Sequence, residues 1–123
     1  MILGIGIDIV HISRMKQWHE KESLLERFFH PEELLEARSR GPSEVQSLAA
    51  RFAAKEAYGK AVGTGLRDLK LKDIRITNDP NGKPNLILYG SAEKRFKQIG
   101  GVSAFVSLTH ERDNAIAVVV LEA

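Results

Sequence analysis

Apolar and polar residues alternate along five short stretches of the chain, which predicts five β-strands. The first stretch, over about 2–10, places Ile5, Ile7 and Ile9 on one face and Gly4, Gly6 and Asp8 on the other. The other four predicted strands cover residues 73–78, 85–89, 102–108 and 115–121. Each of these four is followed or preceded by a turn-rich segment, so they pair naturally as two hairpins.

Apolar residues at helical spacing and residues suited to helix caps predict four helices between these strands. Ser13 is expected to cap a first helix that ends before Phe28. The sequence Ser43-Glu44-Val45-Gln46 predicts a capping box at the start of a long helix, which ends at Gly63-Thr64-Gly65. One short helix is expected to begin at Pro31, and Ser91 is expected to cap another that ends at Gly100-Gly101.

The predicted order is one strand, three helices, a hairpin, one helix and a second hairpin. Strands joined mainly by hairpins, with helices grouped between them, favour the α+β class over a parallel doubly wound sheet. We therefore predict a single domain over residues 1–123, with mainly antiparallel strands and hairpins packed on one long helix and shorter helices.

Composition limits the functions that the chain is expected to have. Hydrophobic residues make up 43% and charged residues 28%, as is usual for globular proteins, and no apolar run is long enough to span a membrane. The chain has no cysteine and starts directly in a predicted strand, so we expect a cytoplasmic protein. The net charge is only +2, and basic and acidic residues are interspersed along the chain. Trp18 is the one residue that suggests stacking on a nucleic-acid base, so a nucleic-acid partner is not expected.

Two carboxylates stand where carboxylates are energetically costly. Asp8 shares a strand face with two glycines, which leave room for something to approach the backbone closely. Glu56 continues the apolar stripe of the long helix after Ala49 and Phe52. Such an acid must be paired, protonated or bound to a cation, and two hard oxygen ligands near basic residues suit Mg²⁺ shared with a substrate phosphate.

Each of these residues also has a simpler interpretation. Asp8 alone could be solvated at a strand end, and Glu56 could form an exposed helical pair with Lys60. Arg51 and Lys55 could likewise lie on a solvated face. Alternatively, Arg51 and Lys60 could form a phosphate cradle, in which Gly59 lets a ligand approach the helix.

Two turns of the chain carry polar residues that could contact an anion. The segment Asn81-Gly82-Lys83-Pro84 is first a hairpin turn, but such turns can also present backbone amides and a lysine to an anion. Ser107 and His110 do not form a nucleophile pair, because no nucleophile elbow surrounds the serine. His110 is therefore interpreted as a phosphate donor or a surface histidine.

Several of these segments together resemble the small 4′-phosphopantetheinyl transferases, the holo-[acyl-carrier-protein] synthase family. The resemblance covers essentially the whole chain, and the segment of the long helix is its most specific part. The segments that carry it are Gly4-Ile5-Gly6-Ile7-Asp8-Ile9-Val10 with Arg14, Arg51-Phe52-Ala53-Ala54-Lys55-Glu56-Ala57 with Lys60-Ala61 and Gly63-Thr64-Gly65, Asn81-Gly82-Lys83-Pro84, and Ser107-Leu108-Thr109-His110.

The resemblance implies transfer of phosphopantetheine from coenzyme A to a serine of apo-acyl carrier protein, with release of adenosine 3′,5′-bisphosphate. It implies that Asp8 and Glu56 hold a magnesium ion and that Lys60 contacts the pyrophosphate; these three are the expected catalytic residues. Arg51 and His110 would lie near the adenosine phosphates. The remaining residues of the coenzyme pocket would be Asn81, Gly82, Lys83 and Thr109.

The resemblance also implies the partners. Family members form homotrimers whose pocket lies between subunits, so the turn residues 81–83 would come from a neighbouring chain. Arg14 on the first helix would face the acidic carrier protein, in a reaction that serves fatty acid biosynthesis. His30, in place of the family's usual Ser or Thr cap, predicts a weaker start for the helix at Pro31.

The residues fit phosphoryl transfer, in which positioning and charge neutralisation supply most of the catalysis. The nucleophile is the hydroxyl group of the substrate, and Glu56, Asp8 or a metal-bound water could remove its proton. A non-catalytic module that binds magnesium–nucleotide or coenzyme A is the alternative. Arg14 argues against that alternative, because a pure binder has no use for a macromolecular docking face.

Overall fold

Two antiparallel sheets and four shorter helices surround one long helix in the computed structural model, which describes residues 1–123. This architecture confirms the predicted α+β class. The strands are β1 (Ile2–His11), β2 (Ile74–Asn78), β3 (Pro84–Leu88), β4 (Ser103–His110) and β5 (Asn114–Glu122). The helices are α1 (Ile12–Trp18), α2 (Glu22–Phe28), α3 (Pro31–Arg38), α4 (Glu44–Ala61) and α5 (Gly90–Gln98), and none is long and apolar enough to cross a membrane.

The larger sheet has the order β1-β5-β4, so the strand nearest the carboxyl end lies in the middle. All of its pairings are antiparallel, and Asp8 of β1 pairs with Ala117 of β5, which pairs with Leu108 of β4. Alternate residues of β5 are fully buried against α4 because small and branched side chains there fill the space beneath the helix. These residues are Ala115, Ala117, Val119 and Leu121.

The opposite face of this sheet is apolar and exposed. Ile5, Ile7 and Ile9 of β1 are 62%, 58% and 58% exposed, and Phe105 of β4 is 52% exposed. The alternation predicted the two faces of β1 correctly, but it could not tell which face meets the core. The isoleucine face is the outer one, because the glycine face packs against α4.

The smaller sheet is the predicted hairpin of β2 and β3, which packs against α3 and α4. Ile74 and Ile76 of β2 are fully buried and join the main core with Phe52 and Tyr58 of α4. The turn between the strands contains Gly82 at φ 87°, a left-handed conformation that glycine adopts without strain.

The predicted first helix is wrong in its length, since it breaks into α1 and α2. Residues 19–21 form a turn in which the amide of Lys21 donates to the carbonyl of Trp18 at 2.9 Å. Helix α1 begins at Ile12, directly after β1 ends at His11. Ser13 therefore lies inside the helix and does not cap it. The amide of Ile12 instead donates to the carbonyl of Asp113 at 2.9 Å.

Two other predicted helix caps are also wrong. Ser43 ends a 3₁₀ turn and its side chain makes no cap hydrogen bond, while Ser91 lies inside α5, where its amide donates to the Asp73 carboxylate at 2.9 Å. Conversely, the start of α3 is well capped. His30 Nδ1 accepts from the Glu32 amide at 3.1 Å, and Glu33 Oε1 accepts from the His30 amide at 3.0 Å, which closes a capping box.

Candidate active site

Asp8, Glu56 and Lys60 meet on one side of α4. Lys60 Nζ donates to Asp8 Oδ1 at 3.0 Å and to the carbonyl oxygen of Ile7 at 2.9 Å. Lys60 is half-exposed, whereas the Asp8 side chain is 18% exposed. Strand β1 and helix α4 are far apart in sequence, so the fold unites the three residues that were expected to act on a pyrophosphate.

Close packing of β1 on α4 brings these residues together. A Cβ added at Gly4 or Gly6 would overlap the carbonyl oxygens of Ala61 and Ala57, respectively. The glycines next to Asp8 therefore make room for the backbone of α4, and not for a ligand. Alanines on the facing side of the helix complete this close approach, which places Asp8 beside the Glu56–Lys60 turn.

Glu56 occupies an environment that disfavours its charge. Partial burial raises the pKa of Glu56 above its usual value, and the negative charge of Asp8 raises it further. The positive charges of Arg14 and Lys60 act in the opposite direction. Two carboxylates held this close, with only partial compensation, form a site that gains from a bound cation.

Arg14 lies closer to this acid pair than its place in the sequence suggested. Its guanidinium group lies 5.0 Å from the ring centre of Trp18 and 5.2 Å from that of Phe52, which holds it by cation–π contacts. The side chain is exposed, and its charge lowers the pKa of Glu56. Arg14 therefore lies beside Asp8 and Glu56 and is still exposed to solvent.

Arg51 and Lys55 do not lie on a solvated face, because both are buried. Arg51 Nε donates to Ser47 Oγ at 3.2 Å, and its terminal nitrogens donate to the carbonyl oxygen of Ile76 and the side chains of Glu36 and Asn78. Lys55 is fully buried with protein partners of its own. The prediction of a solvated face is therefore wrong for Arg51 and Lys55, and Arg51 lines one cavity.

That cavity, of about 190 Å³, is lined by Arg51 together with Gly82 and His110, three of the residues expected to bind the coenzyme. The sequence did not single out three other polar residues of its wall, Arg40, Ser47 and Asn78. Two of them could have been found from the sequence. Ser47 lies one helical turn before Arg51, on the same helix face, and Asn78 directly precedes the hairpin turn.

The hairpin turn itself presents fewer donors than predicted. The Asp79 carboxylate accepts from the amides of Asn81 and Lys83 at 2.8 and 2.9 Å, and the amide of Gly82 donates to the Asp79 carbonyl. These amides are therefore not available to an anion. The side chains of Asn81 and Lys83 are exposed, so they remain able to contact one.

Gly59 also has a role different from the predicted one. A Cβ at this position would lie 2.6 Å from the carbonyl carbon of Gly65, and the Gly65 amide donates to the Gly59 carbonyl at 2.9 Å. The glycine therefore lets the segment after α4 fold back on the helix, and the close neighbour is protein and not ligand.

The predicted site residues fall into two groups at opposite edges of the larger sheet. Asp8 is on β1, one edge strand, while Thr109 and His110 are on β4, the other edge strand, with β5 between them. Thr109 shares the outer face with Ile9 and lines a second cavity, of about 340 Å³, with His110 and Ile116. We call the groups the acid half-site (Asp8, Glu56, Lys60) and the basic half-site (Arg51, Gly82, His110).

Comparisons with known proteins agree with the resemblance seen in the sequence. The model of the 4′-phosphopantetheinyl transferase superfamily matches residues 4–119. The holo-[acyl-carrier-protein] synthase of Treponema denticola is 53% identical over 122 residues, or 99% of both chains. That of Geobacter sp. strain M21 is 46% identical over 125 residues, again 99% of both chains.

Solved structures of the same family superimpose closely. The holo-[acyl-carrier-protein] synthase of Neisseria meningitidis has a TM-score of 0.90 at 40% identity, with full coverage of both chains. The Helicobacter pylori enzyme, solved in complex with coenzyme A, has a TM-score of 0.83 at 33% identity and covers 96% of this chain and 99% of its own. The chain therefore belongs to the 4′-phosphopantetheinyl transferase superfamily and, within it, to the holo-[acyl-carrier-protein] synthases.

Proposed function

We propose that the chain transfers 4′-phosphopantetheine from coenzyme A to a serine of apo-acyl carrier protein in the cytoplasm, in a Mg²⁺-dependent reaction that releases adenosine 3′,5′-bisphosphate. The observation that carries the proposal is the acid half-site, in which two carboxylates and a lysine from distant segments lie together. Family membership and the coenzyme A complex of a relative support the donor substrate. The modified carrier would serve fatty acid biosynthesis.

The acid half-site fits a magnesium ion. Asp8 and Glu56 supply hard oxygen ligands, and the raised pKa of Glu56 shows that its charge is poorly compensated by the protein alone. Two carboxylates leave coordination positions for water and phosphate oxygens, as is usual for Mg²⁺ at a substrate phosphate. The bound ion would neutralise charge on the pyrophosphate during transfer.

The residues of the chain would supply positioning and charge. Lys60 is half-exposed and held by Asp8 and Ile7, so it is placed to contact pyrophosphate oxygens as a point charge. The serine Oγ of the carrier attacks the phosphorus that bears the pantetheine arm, and the bond from that phosphorus to the bridging oxygen breaks. The serine proton leaves to a base, for which Glu56 and Asp8 are the candidates within the cluster.

We propose that the basic half-site binds the nucleotide end of coenzyme A. Arg51 and His110 line one cavity, and the exposed side chains of Asn81 and Lys83 lie on the adjoining turn. Arg51 is held by Glu36 and Asn78, so its guanidinium group is already oriented before a phosphate arrives. Thr109 would extend the pocket along the outer face of the sheet.

A homotrimer would bring the two half-sites of neighbouring chains together. The half-sites lie at opposite edges of one sheet, and neither the cavity at Arg51 nor the cavity at Thr109 is lined by Asp8, Glu56 or Lys60. The exposed apolar face of β1 and β4 is of the kind that marks interfaces between subunits. Closed cyclic assembly through this face would pair the acid half-site of one chain with the basic half-site of the next.

Arg14 would guide the carrier protein. It is exposed at the edge of the acid half-site, where an acidic carrier must deliver its serine. Its place beside Glu56 links the docking surface directly to the reacting centre.

Mixing the protein with coenzyme A, Mg²⁺ and apo-acyl carrier protein, and then weighing the carrier, tests the proposal. We expect the carrier to gain one phosphopantetheine, and we expect a chelator or Asp8→Ala to lower the rate at least about a hundredfold. Glu93→Ala is the matched control, because Glu93 is an exposed acid whose partner is Lys97 on the same helix. Binding of coenzyme A with no change in carrier mass would instead indicate a binding module.

A further inference from the structure

A fully buried ion pair lies between helices α3 and α4, outside both half-sites. Lys55 Nζ donates to Glu33 Oε1 at 2.6 Å, and both side chains are 0% exposed. A buried ion pair contributes little stability relative to apolar residues of similar size, because removing two charges from water is costly. Its contacts with the rest of the chain therefore indicate what it does.

The pair binds the backbone of strand β2 and of the turn before it. Lys55 Nζ donates to the carbonyl oxygen of Leu71 at 2.9 Å and to that of Ile74, while Glu33 Oε2 accepts from the amide of Ile76 at 3.1 Å. Arg51 donates to the carbonyl oxygen of the same Ile76. Side chains of the two helices thus bind peptide groups of β2 in the way that a neighbouring strand would.

These contacts fix the position of the β2–β3 hairpin along helix α4. Asn78 at the end of β2 and Gly82 in the turn both line the cavity of the basic half-site, and Asn78 also accepts from Arg51 at 3.2 Å. Hydrogen bonds to particular peptide groups set one register, whereas apolar contacts alone would allow the hairpin to shift. A shift of about 1 Å is enough to impair a substrate site.

We infer that Glu33 and Lys55 are positioning residues for the nucleotide end of coenzyme A, acting through the β2–β3 hairpin and touching no substrate themselves. The inference rests on the proposed function for its substrate. Neither residue was assigned this role from the sequence, where Lys55 was interpreted only as part of a charged row and of the long-helix segment that carries the resemblance.

The double variant Glu33→Gln/Lys55→Met tests this role, because it removes both charges and leaves no bare ion in the core. We expect the KM for coenzyme A to rise about tenfold and the KM for the carrier protein to stay within about twofold. Amide hydrogen exchange should become faster over residues 76–82. Glu33→Asp keeps the negative charge beside Lys55 but shortens the reach of the carboxylate to the Ile76 amide, so it should change the same quantities less, which covers the case that the double variant fails to fold.

Tyr58→Phe is the matched control. Tyr58 is a buried residue of the same helix whose hydroxyl donates to the carbonyl of Ala92 at 2.8 Å, so the variant loses a buried contact to α5 and not to the hairpin. It should lower the melting temperature and leave the KM for coenzyme A unchanged. An equal rise of that KM in Tyr58→Phe would overturn the inference, and so would a folded double variant with unchanged KM and exchange. Exchange of the hairpin does not depend on turnover, so it decides the positioning role even if the unmodified chain fails to modify a carrier.

Discussion

At the scale of single residues, Glu56 combines burial, a neighbouring carboxylate and two cations around one carboxyl group. Burial and Asp8 raise its pKa more than Arg14 and Lys60 lower it. The ionised residue therefore costs the fold some stability in the absence of a metal. Catalytic carboxylates commonly sit in such environments, where the protein holds a charge that only the ligand fully compensates.

Glu56→Gln should make the metal-free protein more stable at neutral pH. The folded pKa lies above the unfolded value near 4.5, so the stability linked to the protonated form is complete below that value and is lost as the pH rises through the folded pKa. The variant avoids this loss. Its melting temperature should exceed that of the parent by roughly 1–3 °C at about pH 8 and match it at about pH 4. A difference independent of pH would contradict the assigned environment.

Arg14→Glu should weaken use of the carrier protein more than use of coenzyme A. Arg14 is exposed beside the acid half-site, and an acidic carrier would meet a negative charge in its place. We expect the KM for the carrier to rise about tenfold, with a larger effect at low salt because ions screen exposed charges. Lys16→Glu, an exposed charge change on the same helix, is the control. If only the KM for coenzyme A changed, Arg14 would belong to the coenzyme site and not to the surface that binds the carrier protein.

The buried charges show where inference from single residues fails. Arg51 and Lys55 lie at i and i+4 on a helix, a spacing shared by solvated faces and by buried networks. Only their partners decide between the two, and those partners lie on other elements: Glu33 and Glu36 on α3 and the backbone of β2. The glycines beside Asp8 and the apolar stripe before Glu56 marked both acids as close to the core, but their spacing could not show that they meet, and only the family resemblance paired them.

At the scale of elements, the sequence predicted the long helix and both hairpins within a few residues, because their periodicity is strong and polar turn residues separate the strands, with Gly and Pro in the first hairpin turn. Helix starts were the least predictable feature. Ser43 and Ser91 are suitable caps, yet the chain begins α5 one residue before Ser91, where the Asp73 carboxylate binds the Ser91 amide and hydroxyl. Such partners come from tertiary structure, which local sequence does not reveal.

Gly6→Val should destabilise the contact between β1 and α4. Gly6 is buried, and a side chain there would overlap the carbonyl oxygen of Ala57, so the strand and helix would have to move apart. Overpacking of this kind costs about 1–3 kcal/mol in the free energy of unfolding. Chemical denaturation measures the loss, and Ile2→Ala at an exposed position of β1 is the control with little expected change. If Gly6→Val were as stable as the parent, close packing of β1 on α4 would not be needed for stability.

At the scale of the whole molecule, the position of the half-sites and the apolar outer face have the same consequence. Asp8 lies at one edge of the sheet and His110 at the other, and in the proposed trimer a neighbouring chain would bring such residues together. The exposed Ile5, Ile7 and Ile9 supply a surface for that neighbour. The trimer is a proposal that began with the family resemblance, and the exposed apolar face and the separated half-sites are the structural observations that support it.

Mixing two inactive variants tests this arrangement. Asp8→Ala removes the acid half-site, and Lys83→Glu places a negative charge on the turn next to the basic half-site. In a cyclic trimer with sites between chains, random 1:1 mixing leaves about one site in four intact, so about a quarter of the parent activity should return. Each variant mixed with itself is the control. Activity that stays at the sum of the two variants after subunit exchange, or a fully active monomer by sedimentation, would refute the shared pocket.

The strand order β1-β5-β4 also governs how the chain acquires its structure during synthesis. The middle strand β5 follows every other element along the chain, so it leaves the ribosome after both of its partners. Until then β1 and β4 have no strand between them, and α4 has only β1 to cover its alanines. Helices and the β2–β3 hairpin can form early, but the larger sheet closes only in a late, non-local step, and such steps are slow and leave apolar edges exposed to aggregation.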